Sequence, residues 1–471
     1  MKFSIGYNHD IKLLDLLDVY KDNIEALYFP IPRQYLGSGR HIPQKNGYLN
    51  EIPEIIKKCA SLNIKSQLLL NATCEGESGL EKNFFSKIID YMQGLKDLGL
   101  KSAIVTNPAY ISEIKEQIKE IEVESSVNCY VKTVEHALYL KDLGIDILTI
   151  DRDINRDISL IKEIKDKTGL KIRLMLNEGC LRNCPFRKMH FNFIAHTKPK
   201  SKAEMIGGIF FEKWCMKILS QNPAKIFSVP FIPPDALKYY TRFVDYFKIS
   251  CRDSRTSQIE FRLKAYISQN FNGNLLSLLD CSGLAPYFRY IDSRVLNEGN
   301  FFKRMLECTG NCDECNYCRK LVNRAVITDS CFLDPTHPIR IKESEKAVKI
   351  YRRILKTFPF EGAIYLGLTR AYFRLKNYGE AIKKAKKVIE LDYKDKEGNI
   401  HFLLGFCYEK TKQYKKAIGE LKKAQRISPQ EPQVNFSLSN CHRNINQIEQ
   451  SNKELEKGFL KFKKSKQMSN S

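Results

Sequence analysis

The chain has 471 residues, a length that predicts two or three domains, or one large barrel with an appendage. Hydrophobic residues make up 43% and charged residues 28%, which is ordinary globular composition and excludes a chain that is disordered throughout. The net charge is +23, and residues 342–471 supply +15 of it. RNA or another polyanionic partner is one explanation, and lysines that only solvate helix faces are the other.

Membrane and export signals are not evident in the sequence. The longest apolar stretches, such as 145–150, are interrupted by charge well before the roughly 18 residues that a membrane-spanning helix needs. The first residues, MKFSIGYNHDIKLLDLL, carry scattered charges of both signs and do not resemble a signal peptide. We therefore expect a soluble, cytoplasmic protein without a transmembrane segment.

Residues 1 to about 260 alternate short apolar runs with longer amphipathic stretches. Candidate strands cover 2–6, 26–29, 65–70, 102–106, 123–126, 147–150, 171–176, 225–229 and 246–250, with helical patterns such as 52–62, 84–98 and 158–168 between them. Repeated βα units of this length predict an α/β fold, a TIM-like (β/α)8 barrel, with a doubly wound sheet as the alternative. Polar or reactive residues follow most strands, where such a barrel places its active site.

The alternation ends after about residue 260, and the last third of the chain is helical and repetitive. LTRAY at 368–372 and LGFCY at 404–408 recur with an offset of 36 residues, followed by matching tyrosine and alanine positions, and a weaker copy begins at Leu438. This is the tetratricopeptide pattern. The predicted domains are a barrel (1–265), a cysteine-rich connecting segment (266–340), tetratricopeptide repeats (341–462) and a basic tail (463–471).

Fifteen cysteines in a chain without an export signal favour metal ligands or catalytic groups over disulfides. Cys180 and Cys184 follow a predicted strand, Cys215 lies in WCM, and Cys251 ends the strand 246–250. Thiolates that converge from different barrel loops would form an iron–sulfur or zinc site. The second group, Cys308, Cys312, Cys315 and Cys318, has the spacing of a local metal knuckle that holds iron–sulfur or zinc.

Several stretches carry a resemblance to a known family: SAIVT at 102–106, ESSVN at 124–128, the strand into NEGC at 177–180, and FVDYFKISCR at 243–252. Over roughly residues 1–270 the chain resembles the collagenase-like peptidase family U32 and its iron–sulfur-binding relatives. Members described as peptidases usually end the last of these strands in Glu-Gly-Arg, where this chain has SCR. The segment between the first two cysteines is also shortened here to LRN, and 185–196 departs from the family pattern.

The resemblance implies a barrel that carries a 4Fe-4S cluster on Cys180, Cys184, Cys215 and Cys251. Because relatives of this kind take part in oxygen-independent hydroxylation, it also implies a redox enzyme that modifies an RNA base or a small aromatic substrate. A U32-type peptidase is the alternative enzyme, although the sequence contains no HExxH pair and no convincing Ser-His-Asp arrangement.

Titratable residues near the first cysteine group are the candidate catalytic residues: Glu178, His190, His196, Lys248 and Arg252. The two histidines are placed to donate protons, or to bind an anionic substrate together with Arg187 and Arg252. The alternative is that they only form hydrogen bonds within a loop.

Two further interpretations remain open. Cys308, Cys312 and Cys315 match the cluster motif of radical S-adenosylmethionine enzymes, but only helical repeats follow the motif here. The second interpretation is that the chain is a non-catalytic scaffold that metal stabilises. In either case the repeats are expected to recruit a protein or peptide partner, with RNA and a hetero-oligomer as further candidates.

Overall fold

The computed structural model describes residues 1–39, 44, 47–81, 83–195, 214–215, 217–219, 221–280, 288–308, 310–312, 314–328, 338–355, 362–391, 393 and 399–469. The chain folds as two compact units, Met1–Thr328 and Asp329–Ser471, and each is described by itself. In these ranges, no helix combines the length and the apolar character that spanning a bilayer requires.

Eight parallel strands close into a barrel in the first unit, in chain order. Phe3 pairs with Phe247 and Ser4 with Lys248, which joins the first strand to the last. The strands are β1 (Phe3–Gly6), β2 (Ile24–Pro30), β3 (Lys65–Leu70), β4 (Ser102–Val105), β5 (Glu122–Ser125), β6 (Ile147–Thr149), β7 (Lys171–Met175) and β8 (Tyr246–Lys248). The closed ring confirms the predicted TIM-like barrel and excludes the doubly wound sheet, which has two free edges.

Amphipathic helices pack against the strands. Helix α2 shows why they form: Ile52, Ile55, Ile56 and Cys59 recur at the spacing of one helical face, and all are buried. The helices of this part are α1 (Leu13–Tyr20), α2 (Tyr48–Ser61), α3 (Phe84–Asp97), α4 (Ala109–Gln117), α5 (Val134–Asp142), α6 (Ile158–Thr168), α7 (Arg187–Ala195) and α8 (Thr256–Ile267). The carboxyl ends of the strands and the loops that follow them form the barrel mouth.

A network of charges fills part of the barrel interior. Arg173 on β7 is fully buried and donates to Glu124 on β5 and to Glu25 on β2, both at 2.9 Å. Gln67 on β3 donates to Glu124 at 3.0 Å. Because an unpaired buried charge costs several kcal/mol, these partners must fold together.

The prediction of a strand at 225–229 is wrong. These residues belong to a 3₁₀ helix over Pro223–Ser228. Pro223 suits the first turn of a helix because its φ is fixed, while the prolines at 230, 233 and 234 lack the N–H groups that a central strand requires. The apolar run reflects burial instead, since Ile226 and Phe227 are fully buried in a second hydrophobic cluster.

This second cluster organises the rest of the first unit. The cluster includes Phe231, Phe301 and Leu321, and the rings of Phe231 and Phe301 stack with centroids 5.9 Å apart. Cys215 and Cys318 pack at its edge. The elements are α9 (Ser293–Glu298), α10 (Phe301–Leu306), α11 (Tyr317–Ala325) and the antiparallel strands β9 (Phe288–Ile291) and β10 (Val326–Thr328).

The second unit is helical wherever the structure describes it. Its helices are α12 (Pro338–Leu355), α13 (Gly362–Arg374), α14 (Tyr378–Glu390), α15 (Asn399–Lys410), α16 (Tyr414–Ile427), α17 (Pro432–Asn444) and α18 (Ile448–Ser469), and each packs on the next. At Gly405 on α15, a Cβ would lie 2.7 Å from Cγ of Leu421 on α16. The small residues of the predicted repeat therefore mark the contacts between paired helices.

Candidate active site at the barrel mouth

The carboxyl ends of β5, β6 and β7 bring polar side chains together at one side of the barrel mouth. Asn128, Tyr130 and Lys132 follow β5, residues 151–153 follow β6, and residues 177–180 follow β7. Parallel barrels place their active sites at this end, because the loops that follow the strands vary without disturbing the core.

Arg152 lies at the centre of this group and is 1% exposed. Its Nε lies 3.0 Å from Oε2 of Glu178, its Nη2 donates to Oδ1 of Asn128 at 3.1 Å, and its guanidinium lies 5.0 Å from the centre of the Phe191 ring. Its Nη1 has no hydrogen-bond partner among the described residues. Three elements, the ends of β5 and β7 and helix α7, therefore hold this cation in place.

Asp153 anchors the loop that carries the first cysteines. Its carboxylate accepts from Nη1 of Arg187 at 2.5 Å, from Nζ of Lys132 at 2.7 Å and from the backbone N–H of Asn183 at 2.9 Å. Burial alone would raise the pKa of Asp153, but Arg187 and Lys132 hold it down at about 2. The carboxylate is therefore ionised throughout the neutral range.

Glu178, a predicted catalytic residue, is 2% exposed and holds the start of the same loop. Its Oε1 accepts the backbone N–H groups of Gly179 and Cys180 at 3.1 and 3.2 Å, and its Oε2 pairs with Arg152. These contacts assign Glu178 a positioning role for the residues around Cys180.

Two of the predicted metal ligands are in contact. Cys184, on the loop after β7, and Cys215 are 31 positions apart, yet their thiols form a hydrogen bond that lowers the pKa of Cys184 to about 6. Cys180 lies four residues before Cys184, and its charge interacts with Arg187. The fold thus brings two of the four predicted ligands into contact, and a third, Cys180, lies on the same loop as Cys184.

Cys251 has a different environment. Its thiol is fully buried in the main hydrophobic core, where Sγ accepts the backbone N–H of Gly6 at 3.2 Å. Burial raises the pKa of this thiol to about 11. The thiol lies at the end of β1, and its role as the fourth ligand stays a prediction.

The fit of a metal group to these residues is therefore partial. Among the residues described by the structure, no group of three or more His, Cys, Asp or Glu side chains is arranged to hold a metal ion. Cys184 and Cys215 have the proximity that shared ligation requires. The iron–sulfur cluster stays a prediction.

Lys248 and Arg252 lie on the β8 side of the barrel. Nζ of Lys248 is 4.2 Å from the centre of the Tyr28 ring, and burial, which disfavours the charged amine, lowers the pKa of Lys248 to about 8. Arg252 is 5% exposed and donates from Nη1 to Oγ of Ser38 at 3.1 Å. At Gly6 a Cβ would clash with Arg252 Cγ and with the Tyr28 ring, so glycine is required there.

The structure describes only one of the two predicted histidines, His190. His190 lies on α7, is half-buried, and its burial lowers its pKa. Its ring centre is 6.1 Å from that of Phe191, the residue that packs on Arg152. His196 lies outside the described residues, as do the isolated cysteines Cys281 and Cys331.

The second cysteine group lies on the turn before α11. Cys308, Cys312 and Cys315 are exposed, Cys318 is partly buried, and Gly310 adopts a left-handed φ of 83° that lets the chain turn back. Burial and the charges of the other three thiols raise the pKa of Cys318 to about 11. The four sulfurs therefore lie near one another. As at the barrel mouth, the described residues of this group are not arranged as a metal site.

Some residues of the mouth were not predicted as site residues. Arg152 and Asp153 were visible only as polar positions after a strand, and Tyr130 was not singled out. Tyr130 has a φ of 56°, a left-handed conformation that is unusual for a residue with a side chain. The available signal was the charged residues Arg152 and Asp153 after β6, together with Glu178 after β7.

Comparisons with known proteins agree with this architecture. The family model described as "Peptidase family U32" matches residues 15–180, and a tetratricopeptide repeat model matches residues 398–431. A relative from Methanocaldococcus jannaschii, described as "Uncharacterized protease MJ1657", is 29% identical over 336 residues, which are 69% of this chain and 98% of the relative. These matches confirm the predicted resemblance to the U32 family over residues 15–180 and the predicted tetratricopeptide pattern over residues 398–431.

Two solved structures are also similar. The U32 peptidase Mk0906 is 16% identical and aligns over 53% of this chain and 92% of its own, with a TM-score of 0.39. The protein MamA from Desulfovibrio magneticus is 18% identical and aligns over 37% of this chain and 98% of its own, with a TM-score of 0.27.

Proposed function

We propose that this U32-domain protein is a redox enzyme that works at the mouth of its barrel, with an iron–sulfur cluster on Cys180, Cys184 and Cys215. One observation carries the proposal: the fold brings Cys215 into thiol contact with Cys184, which lies on the same loop as Cys180. Cys251, the predicted fourth ligand, is left out of this proposed set, because its Sγ lies in the main hydrophobic core and accepts the backbone N–H of Gly6 there.

Such a cluster would supply single-electron transfer. The residues of this chain have the remaining tasks. Glu178 and Asp153 fix the loop around Cys180 through backbone N–H groups, and Arg152 and Arg187 supply positive charge beside it. The substrate classes that the sequence predicts, an RNA base or a small aromatic compound modified by hydroxylation, remain part of this proposal.

Metal analysis tests the proposal directly. The protein is purified without oxygen, and iron, sulfide and zinc are measured in the wild type and in Cys184→Ser. We expect about four irons and four sulfides to be lost in the variant. Unchanged iron in the variant, or a wild type that contains zinc alone, would contradict the proposal.

Peptide hydrolysis is the second candidate, and the U32 match together with the relative described as a protease favours it. Lys248 is the residue that suits it, because an amine with a pKa of about 8 is partly neutral near neutral pH and can accept a proton. Peptide cleavage by iron-free protein, lost in Lys248→Met, would favour this candidate over the redox enzyme.

The repeats are proposed to bind a protein or peptide partner, since stacked helical hairpins offer an extended binding surface. The tetratricopeptide match at 398–431 supports this role. Copurification with the fragment 338–471, compared with the full chain, tests it: a partner retained by both would support the proposal, and a partner retained only by the full chain would refute it.

A further inference from the structure

Three buried donors at the barrel mouth have no hydrogen-bond partner among the described residues. They are Nη1 of Arg152, Nε of Arg187 and the hydroxyl of Tyr130. Arg152 and Arg187 are 1% and 4% exposed. Unsatisfied buried donors are rare because each costs about 1–3 kcal/mol, and three in one place require an explanation.

The three side chains lie close together, because helix α7 carries Arg187 and also contacts the other two. Nζ of Lys188 on this helix lies 5.5 Å from the centre of the Tyr130 ring, and the ring of Phe191 lies 5.0 Å from the Arg152 guanidinium. The charges of both arginines also oppose the rise in the pKa of Tyr130 that burial causes. The phenol hydroxyl therefore lies within the field of two guanidinium groups.

The nearby carboxylates are already engaged. Asp153 accepts from Arg187, Lys132 and the backbone of Asn183, and Glu178 accepts two backbone N–H groups while it pairs with Arg152. Asp151 accepts the backbone N–H of Asp153 through Oδ1, its Oδ2 has no partner among the described residues, and burial raises its pKa. None of these contacts satisfies the three free donors.

We propose that Tyr130, Arg152 and Arg187 form a mouth anion site that binds a compact oxyanion of the substrate, a carboxylate or a phosphate group. Planar guanidinium N–H groups and a hydroxyl are the donors that such anions accept. Lys132 and Lys188 add positive charge around the site. The inference deepens the proposed function by naming the chemical group that the substrate presents, and it rests on that function only in placing the substrate at the mouth.

Anion binding is measured by calorimetric titration of the full-length protein with inorganic phosphate and, separately, with acetate. Potassium chloride keeps the ionic strength constant, so that general screening does not change. The variants are Tyr130→Phe, which removes only an unpartnered hydroxyl, and Arg152→Lys, which keeps the charge but loses Nη1 together with the guanidinium contacts to Asn128 and Glu178. Tyr372→Phe is the matched control, because its buried hydroxyl also lacks a described partner but belongs to the second unit.

We expect the wild type to bind one of the two anions, and we expect Tyr130→Phe and Arg152→Lys each to weaken this binding about tenfold, the effect of one hydrogen bond to a charged group. Tyr372→Phe should bind like the wild type. Preference for phosphate or for acetate identifies the group on the substrate. A wild type that binds neither anion, or equal binding in all four proteins, would overturn the inference.

This result is independent of the cluster. The titration requires no turnover, and it is repeated on Cys184→Ser, in which the proposed iron–sulfur group is lost. Anion binding that persists without iron would support the site even if the redox proposal fails. Loss of binding in Tyr372→Phe as well would show that the effect does not arise at the mouth, and would count against the site.

Discussion

Arg152 and Glu178 form a buried ion pair, 3.0 Å between Nε and Oε2, that ties the end of β6 to the end of β7. The same glutamate holds the backbone of Gly179 and Cys180. Both partners are at most 2% exposed, so water cannot solvate either charge if its partner is removed. The pair therefore determines the position of the cysteine loop relative to the barrel.

The first prediction concerns this pair. Glu178→Gln keeps the size of the side chain but leaves the Arg152 charge buried without its counterion, so the free energy of unfolding should fall by about 3 kcal/mol. Urea denaturation measures the change. Glu163→Gln, at an exposed position of α6, is the control and should stay within about 0.5 kcal/mol of the wild type. A Glu178→Gln protein of wild-type stability would show that the pair does not hold the loop.

Lys248 carries the second prediction. Its pKa is about 8 in the folded protein, against 10.5 ordinarily, so the folded state disfavours the charged amine. Lys248→Met removes this penalty and should stabilise the protein at pH 7 by roughly 1–3 kcal/mol, and it should abolish peptide cleavage if the chain is a peptidase. Thermal unfolding together with an activity assay checks both effects, and a destabilised Met variant would contradict the first.

The pH dependence of stability follows from the same shift. Between pH 8 and 10.5 the unfolded chain binds more protons at Lys248 than the folded chain does, so the stability of the wild type gains from this residue as pH rises. The advantage of Lys248→Met should therefore be complete below pH 8 and disappear above 10.5. Denaturation curves recorded across this window measure the difference, and a constant difference would show that Lys248 is not the cause.

The second cysteine group provides the third prediction. We expect Cys308, Cys312, Cys315 and Cys318 to bind iron–sulfur or zinc independently of the barrel mouth, because all four lie on one turn and the start of one helix. A Cys312→Ser/Cys315→Ser double variant should lose this metal and keep the iron that Cys184→Ser loses. Elemental analysis identifies the metal, and an unchanged metal content would rule out this site.

Two glycines of the repeat unit form a matched pair for the fourth prediction. Gly405→Ala places a Cβ 2.7 Å from Leu421 Cγ and should destabilise the unit by about 1–3 kcal/mol through overpacking. At Gly419, on α16, an added Cβ has no neighbour within 4 Å, so Gly419→Ala should be stabilising by up to about 1 kcal/mol. Unfolding of both variants measures the contrast, and effects of the same sign would contradict the helix contact.

The alternation of β-branched runs and amphipathic helices predicted repeated βα units, and the closed ring of strands then decided for the barrel over the doubly wound sheet. The sequence was misleading at 225–229, where an apolar run reflects burial against Phe301 and the neighbouring prolines prevent strand pairing. Composition alone does not separate these two causes of an apolar run. The helical repeat was predictable because its small residues recur where paired helices touch, as at the contact between Gly405 and Leu421.

The candidate site was only partly predictable. The polar strand ends identified the mouth, but the role of Glu178 in holding backbone N–H groups depends on the loop conformation, which the sequence does not specify. Cys251 illustrates the same limit. A cysteine at a strand end matches the ligand pattern, but the sequence does not reveal that this thiol accepts the backbone N–H of Gly6 at the end of β1.

The most direct test of the central claim is electron paramagnetic resonance of anaerobically prepared, reduced protein, compared among the wild type, Cys215→Ser and Cys251→Ser, each in the Cys312→Ser/Cys315→Ser background. We expect the signal of an iron–sulfur cluster in the wild type and in Cys251→Ser, and its loss in Cys215→Ser. A signal that survives in Cys215→Ser, or is lost in Cys251→Ser alone, would contradict the assignment of the cluster to Cys180, Cys184 and Cys215.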